Sequence, residues 1–513
     1  MKARKILYLL LIWIVILLAP ALLSCKKPNA ADNDGSLSDD PAQADENAVD
    51  PTEALLENTP DSLPGDLDFG GAELRVLHRN GDNGYYGDGD IFEIEVFAES
   101  ENGDIINDAI YKRNKLVEDR LNIKINPIGI IDASWSKAYD FFNYIKKSVS
   151  AGDNEFDVIM GYAALMPNYA MQNLFLNVND FPYIDYEKPW WSLNFKNEMS
   201  IGGKCYLLDG DYSLSLLARA MCIYYNKDYA KELGLENLYQ TVLDGDWTLD
   251  KIGEISKSAY FDLNGNGKKD SDDRFGTAIT IGTYIDNLWF AFDQPVTVMD
   301  SDGFPALAAN TPKMAEMVKK TYDFLYNNEG VNALVEDLEQ EMNCLNNFSA
   351  GNILFWPNTL YKNGMLRATE TDYGILPYPK WNKEQERYMT GAQDNFSIIA
   401  IPVICANKDF VGAALEALAA ESYRRVTPAY YEIALKTKYL RDDESAMMLD
   451  MIRDGLSFNF GAYHTDSIGD LRLQYRFLMS NKKSDWVSMY EKKEAQYQKG
   501  LEKTINNYMN IEQ

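Results

Sequence analysis

The chain reads as an α/β protein with a largely parallel sheet. Three observations predict it. Strand and helix patterns alternate from residue 73 to residue 161, the signature of strand–helix–strand units. The last of these strands is a continuous apolar run that ends in a glycine turn, as strands covered on both faces do. The chain has 513 residues, 46% of them hydrophobic, enough to bury a large core.

Taken in order, Glu73-Leu74-Arg75-Val76-Leu77 is a short strand pattern. Asn107 to Leu121 is a helix, with Ile110, Leu116, Val117 and Leu121 at helical spacing. Ile123-Lys124-Ile125-Asn126 alternates as a strand, Ala138 to Val149 is helical, and Phe156 to Gly161 is the buried strand. Ligands gather at the carboxyl ends of such strands, which makes Tyr162, just past one end, a contact candidate. Glycine and short polar residues then break the apolar runs across Gly203 to Asn226, the pattern of a crossing between lobes. Asp209 and Asp211 lie in it. Thr248 is placed to cap a helix over Leu249 to Ala259.

The net charge of −29 excludes nucleic acid as a partner, since phosphate binding needs a basic surface. It also excludes a peripheral grip on anionic lipid. Of five cysteines, Cys205, Cys222, Cys344 and Cys405 lack metal-type spacing and sit in apolar surroundings, so buried free thiols are expected, with one disulfide in an exported protein as the alternative. Two histidines, His78 and His464, do not make a metal site.

The N-terminus carries its own address. Lys2, Arg4 and Lys5 precede an apolar run from Ile6 to Ala19, the plan of an export signal that is too short for a membrane span. Leu22-Leu23-Ser24-Cys25 resembles the bacterial lipobox, whose cysteine is lipidated, so residues 1–24 are expected to be removed and Cys25 to carry the lipid. Lys26 to Pro64 is poor in large apolar residues and reads as a disordered acidic linker, 25–66 with the lipidated cysteine. Order is expected from near Leu67.

A further set of motifs recurs in a fixed order. Gly203-Lys204-Cys205-Tyr206, Tyr225-Asn226-Lys227-Asp228 and Trp247-Thr248-Leu249-Asp250 are followed by Phe348 to Trp356, Tyr373-Gly374-Ile375-Leu376-Pro377-Tyr378-Pro379 and Phe396 to Pro402. A helix starting at Leu415-Glu416-Ala417-Leu418 follows. This order resembles extracellular solute-binding protein family 1, the carbohydrate-type receptors of ABC importers. The resemblance implies a periplasmic-binding-protein-like fold: two α/β lobes, hinge crossovers and a ligand cleft between them. Lobe one is expected at 67–208 and 396–440, lobe two at 209–395 and 441–513. It further implies a monomer outside the cell, tethered to the membrane through Cys25, that closes on a sugar or oligosaccharide and delivers it to ABC permease subunits.

Sugar pockets pair flat aromatics with polar rims, and the chain has 9 Trp and 33 Tyr. By resemblance, Trp356 falls where maltose-type receptors place a stacking tryptophan, Tyr284 or Trp289 near a second aromatic contact, Tyr162 near a first-lobe aromatic, and Asp211 near an acidic hinge residue. Asn287, Asn358, Asp394 and Asn395 are polar candidates beside these clusters. Tyr85 and Tyr86, in a glycine-rich loop, read equally as contacts or as loop packing. Trp190 and Trp191 are consecutive and read as packing residues.

Asp262 to Asp273 places oxygen ligands at positions 1, 3, 5, 9 and 12 and glycine at position 6 of a twelve-residue calcium loop. Asp262, Asn264, Asn266, Asp270 and Asp273, with the Lys268 carbonyl, would hold a structural Ca2+; the alternative is an Asx-rich surface turn. Asp273 stands where the loop normally has a bidentate glutamate.

A glycosidase needs two carboxylates at a set distance across a cleft; with 78 Asp and Glu such pairs arise by chance. No G-x-S-x-G elbow, H-E-x-x-H helix or P-loop occurs. The chain is therefore expected to bind rather than to catalyse. A surface glycoside-active enzyme and a ligand-capturing lipoprotein for a membrane sensor are the alternatives, and peptide or polyol stays open as the ligand.

Overall fold

The computed structural model describes residues 59–80, 89–131, 135–179, 181–235, 237–366, 369–431 and 443–511. All belong to one compact unit, 52–513. Cys25, Tyr85 and Tyr86 lie outside the described residues.

Eleven strands are described: β1 Ala72–Asn80, β2 Ile123–Ile131, β3 Val158–Tyr162, β4 Met221–Asn226, β5 Phe275–Ile281, β6 Thr297–Met299, β7 Pro305–Leu307, β8 Val331–Val335, β9 Ile353–Thr359, β10 Tyr373–Leu376 and β11 Ser397–Ala400. The first sheet has the order β11-β3-β1-β2. β1 runs parallel to β2 and β3, with Val76 opposite Val158, and β11 returns antiparallel, with Ser397 opposite Tyr162. The second sheet has the order β10-β4-β9-β5-β8, with β5 parallel to β8 and β9, and β4 antiparallel to β9 and β10.

Local chemistry explains the helices between these strands. Asp104 caps helix Ile105–Leu121 by accepting from the Ile106 and Asn107 amides, and Asn122 ends it at φ 50, where asparagine tolerates the left-handed turn. Ile110, Val117 and Leu121 are buried, but Leu116 is exposed. Thr248 caps Leu249–Ser258 through the Lys251 amide. Helix Lys408–Glu421 starts earlier than expected, capped by Asn407, so Leu415 to Leu418 is its middle. It is buried from Phe410 to Ala420, which makes it a core helix of the first lobe.

Two segments tie the sheets together. Leu208 pairs with Ile399 and Ala220 with Ala392, so 208–220 and 390–397 pass side by side from one lobe to the other. Gly210 is required in the first: a Cβ there would lie 2.2 Å from the Trp190 carbonyl oxygen. Cys205, Cys222, Cys344 and Cys405 are buried free thiols.

Candidate functional site

The carboxyl ends of β1 and β3 share an edge of the first sheet with the start of β11. In the second sheet the carboxyl ends of β9 and β10 share an edge with the start of β4. The crossings lead from one edge to the other, and a ladder of rings and guanidinium groups spans the junction. Arg79, near the end of β1, stacks on Tyr162 at the end of β3, 4.4 Å from its centroid, and on Phe92 at 4.2 Å. Arg219 lies 5.3 Å from the same Phe92 ring and 4.9 Å from Tyr361, just past β9. Arg79 also donates 2.6 Å to the Asn395 carbonyl. Rings and cations thus alternate along the ladder, Tyr162, Arg79 and Phe92 coming from the first lobe and Arg219 and Tyr361 from the second. Tyr162 and Tyr361, the end rungs, are half-buried.

Three carboxyl groups lie at or near the first crossing: Glu95, Asp209 and Asp211. Glu95 is fully buried and accepts the Ser215 amide at 2.8 Å. Burial pushes its pKa up to about 7 against the opposing hydrogen bonds of Ser397 and Ser215. Asp209 is buried, and burial lifts its pKa well above the carboxylate range against the opposing Gly210 backbone amide. Asp211 accepts 2.5 Å from the Thr427 hydroxyl; burial, partly offset by that bond, raises it to about 6. Burial thus raises the pKa of both aspartates of the first crossing, as it does that of Glu95.

Of the residues singled out in sequence, Tyr162, Asp211, Asp394 and Asn395 come together around the crossings. Asp394 is held 2.9 Å from Arg472, and the Asn395 side-chain oxygen is buried without a partner. Asn287 accepts the Gly391 amide at 2.7 Å and so pins the second crossing to helix Thr283–Ala291. The others lie elsewhere. Trp356 is 2% exposed, between Tyr224 and Phe348 at 5.7 Å each; it packs β9 against helix Leu338–Ser349 and faces no cleft. Trp289 is buried against Tyr475 and Trp486. The Tyr284 hydroxyl donates 3.0 Å to Asn358, and the Asn358 amide donates 3.2 Å to Glu341, a closed internal network. In this structure Trp356 and Trp289 pack in the core, and Tyr284 and Asn358 bond each other and Glu341.

Trp190 and Trp191 are buried, as expected of packing residues, yet both donate to one carboxylate. Their indole N–H groups lie 3.2 and 2.7 Å from Glu416 in the middle of the core helix. They also wall a notch of about 290 Å3 with Asp211, Thr427, Arg453 and Phe458. A larger hollow of about 740 Å3, walled by Lys313, Trp381 and Arg387, includes none of the crossing residues.

Sequence reasoning passed over Arg79, Phe92, Arg219 and Tyr361. Three of them adjoin strand ends, and the strand-end rule that found Tyr162 reaches Arg79 and Tyr361 as well. Phe92 lies in the short helix Gly89–Ile94 and gave no signal.

Asp262 to Asp273 folds as a tight loop on its own hydrogen bonds. Asp262 accepts the Gly265 and Gly267 amides at 2.7 and 2.8 Å, Asn264 accepts the Asn266 amide at 3.0 Å, and Asn266 accepts the Lys268 amide at 2.6 Å. Gly265 and Gly267 sit at φ 67 and 70, which the turn needs. Asp270 accepts from the Asn264 and Asn266 side chains. Among the described residues no three acidic, cysteine or histidine side chains are grouped to hold a metal. Asp273 is different in one respect: it is 1% exposed and its Oδ1 has no partner.

Two α/β lobes, paired crossings and strand ends turned toward the junction define a two-lobed binding-protein fold. Residues 117–424 match the family model described as bacterial extracellular solute-binding protein, and the chain belongs to that family. Its fold is similar to that of the galacto-N-biose-/lacto-N-biose I-binding protein of an ABC transporter from Bifidobacterium longum, solved with lacto-N-biose (12% identity, 85% of this chain and 98% of that chain, TM-score 0.56). It is also similar to the cyclic alpha-maltosyl-1,6-maltose binding protein from Arthrobacter globiformis (15% identity, 85% and 100%, TM-score 0.55). A third is the GacH receptor of Streptomyces glaucescens (10% identity, 85% and 99%, TM-score 0.51). No curated protein sequence matches the chain.

Proposed function

We propose that this family member is the ligand-capturing receptor of an ABC importer, taking a sugar or oligosaccharide between its lobes and releasing it unchanged. The observation that carries the reading is the ladder from Tyr162 to Tyr361: its inner rungs Arg79, Phe92 and Arg219 are buried and link the lobes, and its half-buried end rings lie at a strand end of each lobe. Rings pack on the CH faces of a sugar, and guanidinium and carboxyl groups bond its hydroxyls. The sugar ligands in the names of the similar structures support the choice of carbohydrate. Lobe one is drawn at 67–208 and 396–440 and lobe two at 209–395 and 441–513, and closure is a hinge motion about the crossings. Cys25, lipidated after removal of 1–24, tethers the receptor outside the cell, and two or more acyl chains give lasting attachment. The receptor works as a monomer and hands its ligand to permease subunits.

The test is thermal unfolding with a panel of mono- and oligosaccharides, set beside peptides and polyols. A ligand at 100-fold its Kd is expected to stabilise the protein by about 2.7 kcal/mol, with no sugar product released. A shift with peptides alone, or turnover of a glycoside, overturns the proposal. For the matching ligand, Tyr162→Ala is expected to weaken binding at least about ten-fold, or about 1.4 kcal/mol, while the melting temperature of the free protein hardly moves. Calorimetry on the two proteins checks it.

A structural Ca2+ in the Asp262–Asp273 loop is part of the same proposal. Asp262, Asn264, Asn266, Asp270 and Asp273 with the Lys268 carbonyl would hold it, and the unpartnered Asp273 oxygen supports this reading. Asp262 and Asn266 must then share oxygens now given to backbone amides, so weak binding is expected.

A further inference from the structure

The described chain does not begin loose. Residues 59–63 lie on the first lobe and are held there by cations from three separate elements. Arg120, near the end of helix Ile105–Leu121, forks onto Asp61 at 2.7 and 2.8 Å. Arg424 reaches the Thr59 carbonyl at 2.7 Å and Asp61 at 3.2 Å. Lys188 holds the Pro60 carbonyl at 3.0 Å, and Leu63 is buried in the first-lobe core. Asp61 is only 5% exposed at its side chain. Burial opposes its ionisation, but the hydrogen bonds and charge of Arg120, joined by Arg424, bring its pKa down to about 2.

Arg424 does not end there. It belongs to the π-helical turn Ser422–Val426, a form that tends to mark functional sites. Thr427, the next residue, donates to Asp211 at 2.5 Å in the first lobe crossing. The Arg424 guanidinium also lies over the Trp190 ring, 5.6 Å from its centroid, and the Trp190 carbonyl accepts the Asp211 amide at 2.9 Å. Two short routes therefore run from the strap to one crossing residue, by the π-helical turn and by Trp190.

We infer that residues 59–63 are a strap whose seating on lobe one sets the stiffness of the lobe crossing at Asp211. The chain upstream of residue 59 then acts on the crossing through Arg424, and whatever lifts the strap loosens the hinge without touching the ligand site. Packed side chains and hydrogen bonds are one carrier of coupling between sites, and Thr59, Asp61, Arg424, Trp190, Thr427 and Asp211 form such a series.

The test is amide hydrogen exchange on the full chain, read without ligand, so its result does not depend on what the lobes bind. Asp61→Ala removes both arginine contacts to the side chain, and Arg120→Met removes one while leaving Trp190 and the π-helical turn alone. Both are expected to expose residues 59–66 to proteinase K. Both are expected to speed exchange in 210–217 at least about five-fold, with β9 unchanged. Thr427→Val is expected to speed 210–217 with the strap still seated, and the Asp61→Ala/Thr427→Val double variant to add less than the sum, as coupled residues do. A freed strap with unchanged exchange in 210–217 overturns the inference, as does a strap that stays protected in Asp61→Ala. Full additivity in the double variant overturns it as well.

Discussion

At the residue scale, Trp356 shows how a side chain changes meaning with its surroundings. An aromatic at a strand end reads as a sugar platform. In the structure its ring fills the space between β9 and helix Leu338–Ser349, against Tyr224 and Phe348. Trp356→Ala is therefore expected to cost about 3–5 kcal/mol of stability, measured by urea unfolding, rather than to act on affinity alone. A loss below about 1 kcal/mol, with affinity abolished, would return the residue to the cleft. Glu416 is a second case. Burial raises its pKa to about 7 from the usual 4.5, even though the Trp191 and Trp190 indoles, in that order, stabilise the ionised form. Between those two values the folded protein holds a proton that the unfolded chain has lost. Its contribution to stability therefore falls as pH rises from about 4.5 to about 7 and is level above. Glu95 and Asp211 act in the same direction. The melting temperature is expected to be higher at pH 5 than at pH 8, and Glu416→Gln to narrow the gap. An unchanged gap would mean that the carboxyl group of Glu416 titrates alike in both states.

At the element scale the acidic loop makes the sharper prediction. Its turn is already satisfied by Asp and Asn side chains on backbone amides, so the loop can form without an ion. Asp273 adds a buried oxygen with no partner, which costs about 1–3 kcal/mol when nothing meets it. With Ca2+ bound at that oxygen, a chelator is expected to lower the melting temperature, and Asp273→Asn to abolish the response. No response in the wild type reduces the loop to a turn. Elements of this kind were legible in the sequence because each depends on local chemistry. The Thr248 cap, glycine turns and period-two or continuous apolar runs place most of these strands and helices, although helix Lys408–Glu421 starts seven residues before the expected Leu415. Which face a side chain takes was not legible. β9 is buried along its whole length, so its sequence shows no alternation that separates Trp356 from its neighbours. The ladder was invisible for a related reason: Arg79, Phe92, Arg219 and Tyr361 come from four separate stretches, and only the fold brings them together. The strap was hidden in a segment whose composition reads as linker. Its order comes from cations on distant elements, not from its own residues.

At the scale of the whole molecule, the question is what fixes the second crossing to the lobes it joins. Asn287 holds its start through the Gly391 amide. A buried ion network holds its centre: Arg472 bonds Asp394 in the crossing at 2.9 Å and Asp286 of helix Thr283–Ala291 at 2.6 Å, and Arg476 also bonds Asp286. The Arg472 and Asp286 side chains are 6% and 4% exposed, so salt screens the pair little. Two aspartates against two arginines leave the group neutral, whereas removing one arginine strands a carboxylate beside the crossing. Arg472→Met is therefore expected to cost about 3 kcal/mol, and adding Asp394→Asn to recover part of it, because the second change removes the stranded charge. Denaturant unfolding of the four proteins of this cycle, at low and high salt, measures it. Recovery by the second substitution means that Arg472 neutralises Asp394 and thereby lets the crossing lie buried between the lobes. If the two losses simply add, Arg472 serves the second lobe alone, and the crossing is held by Asn287 and its backbone pairing to the first.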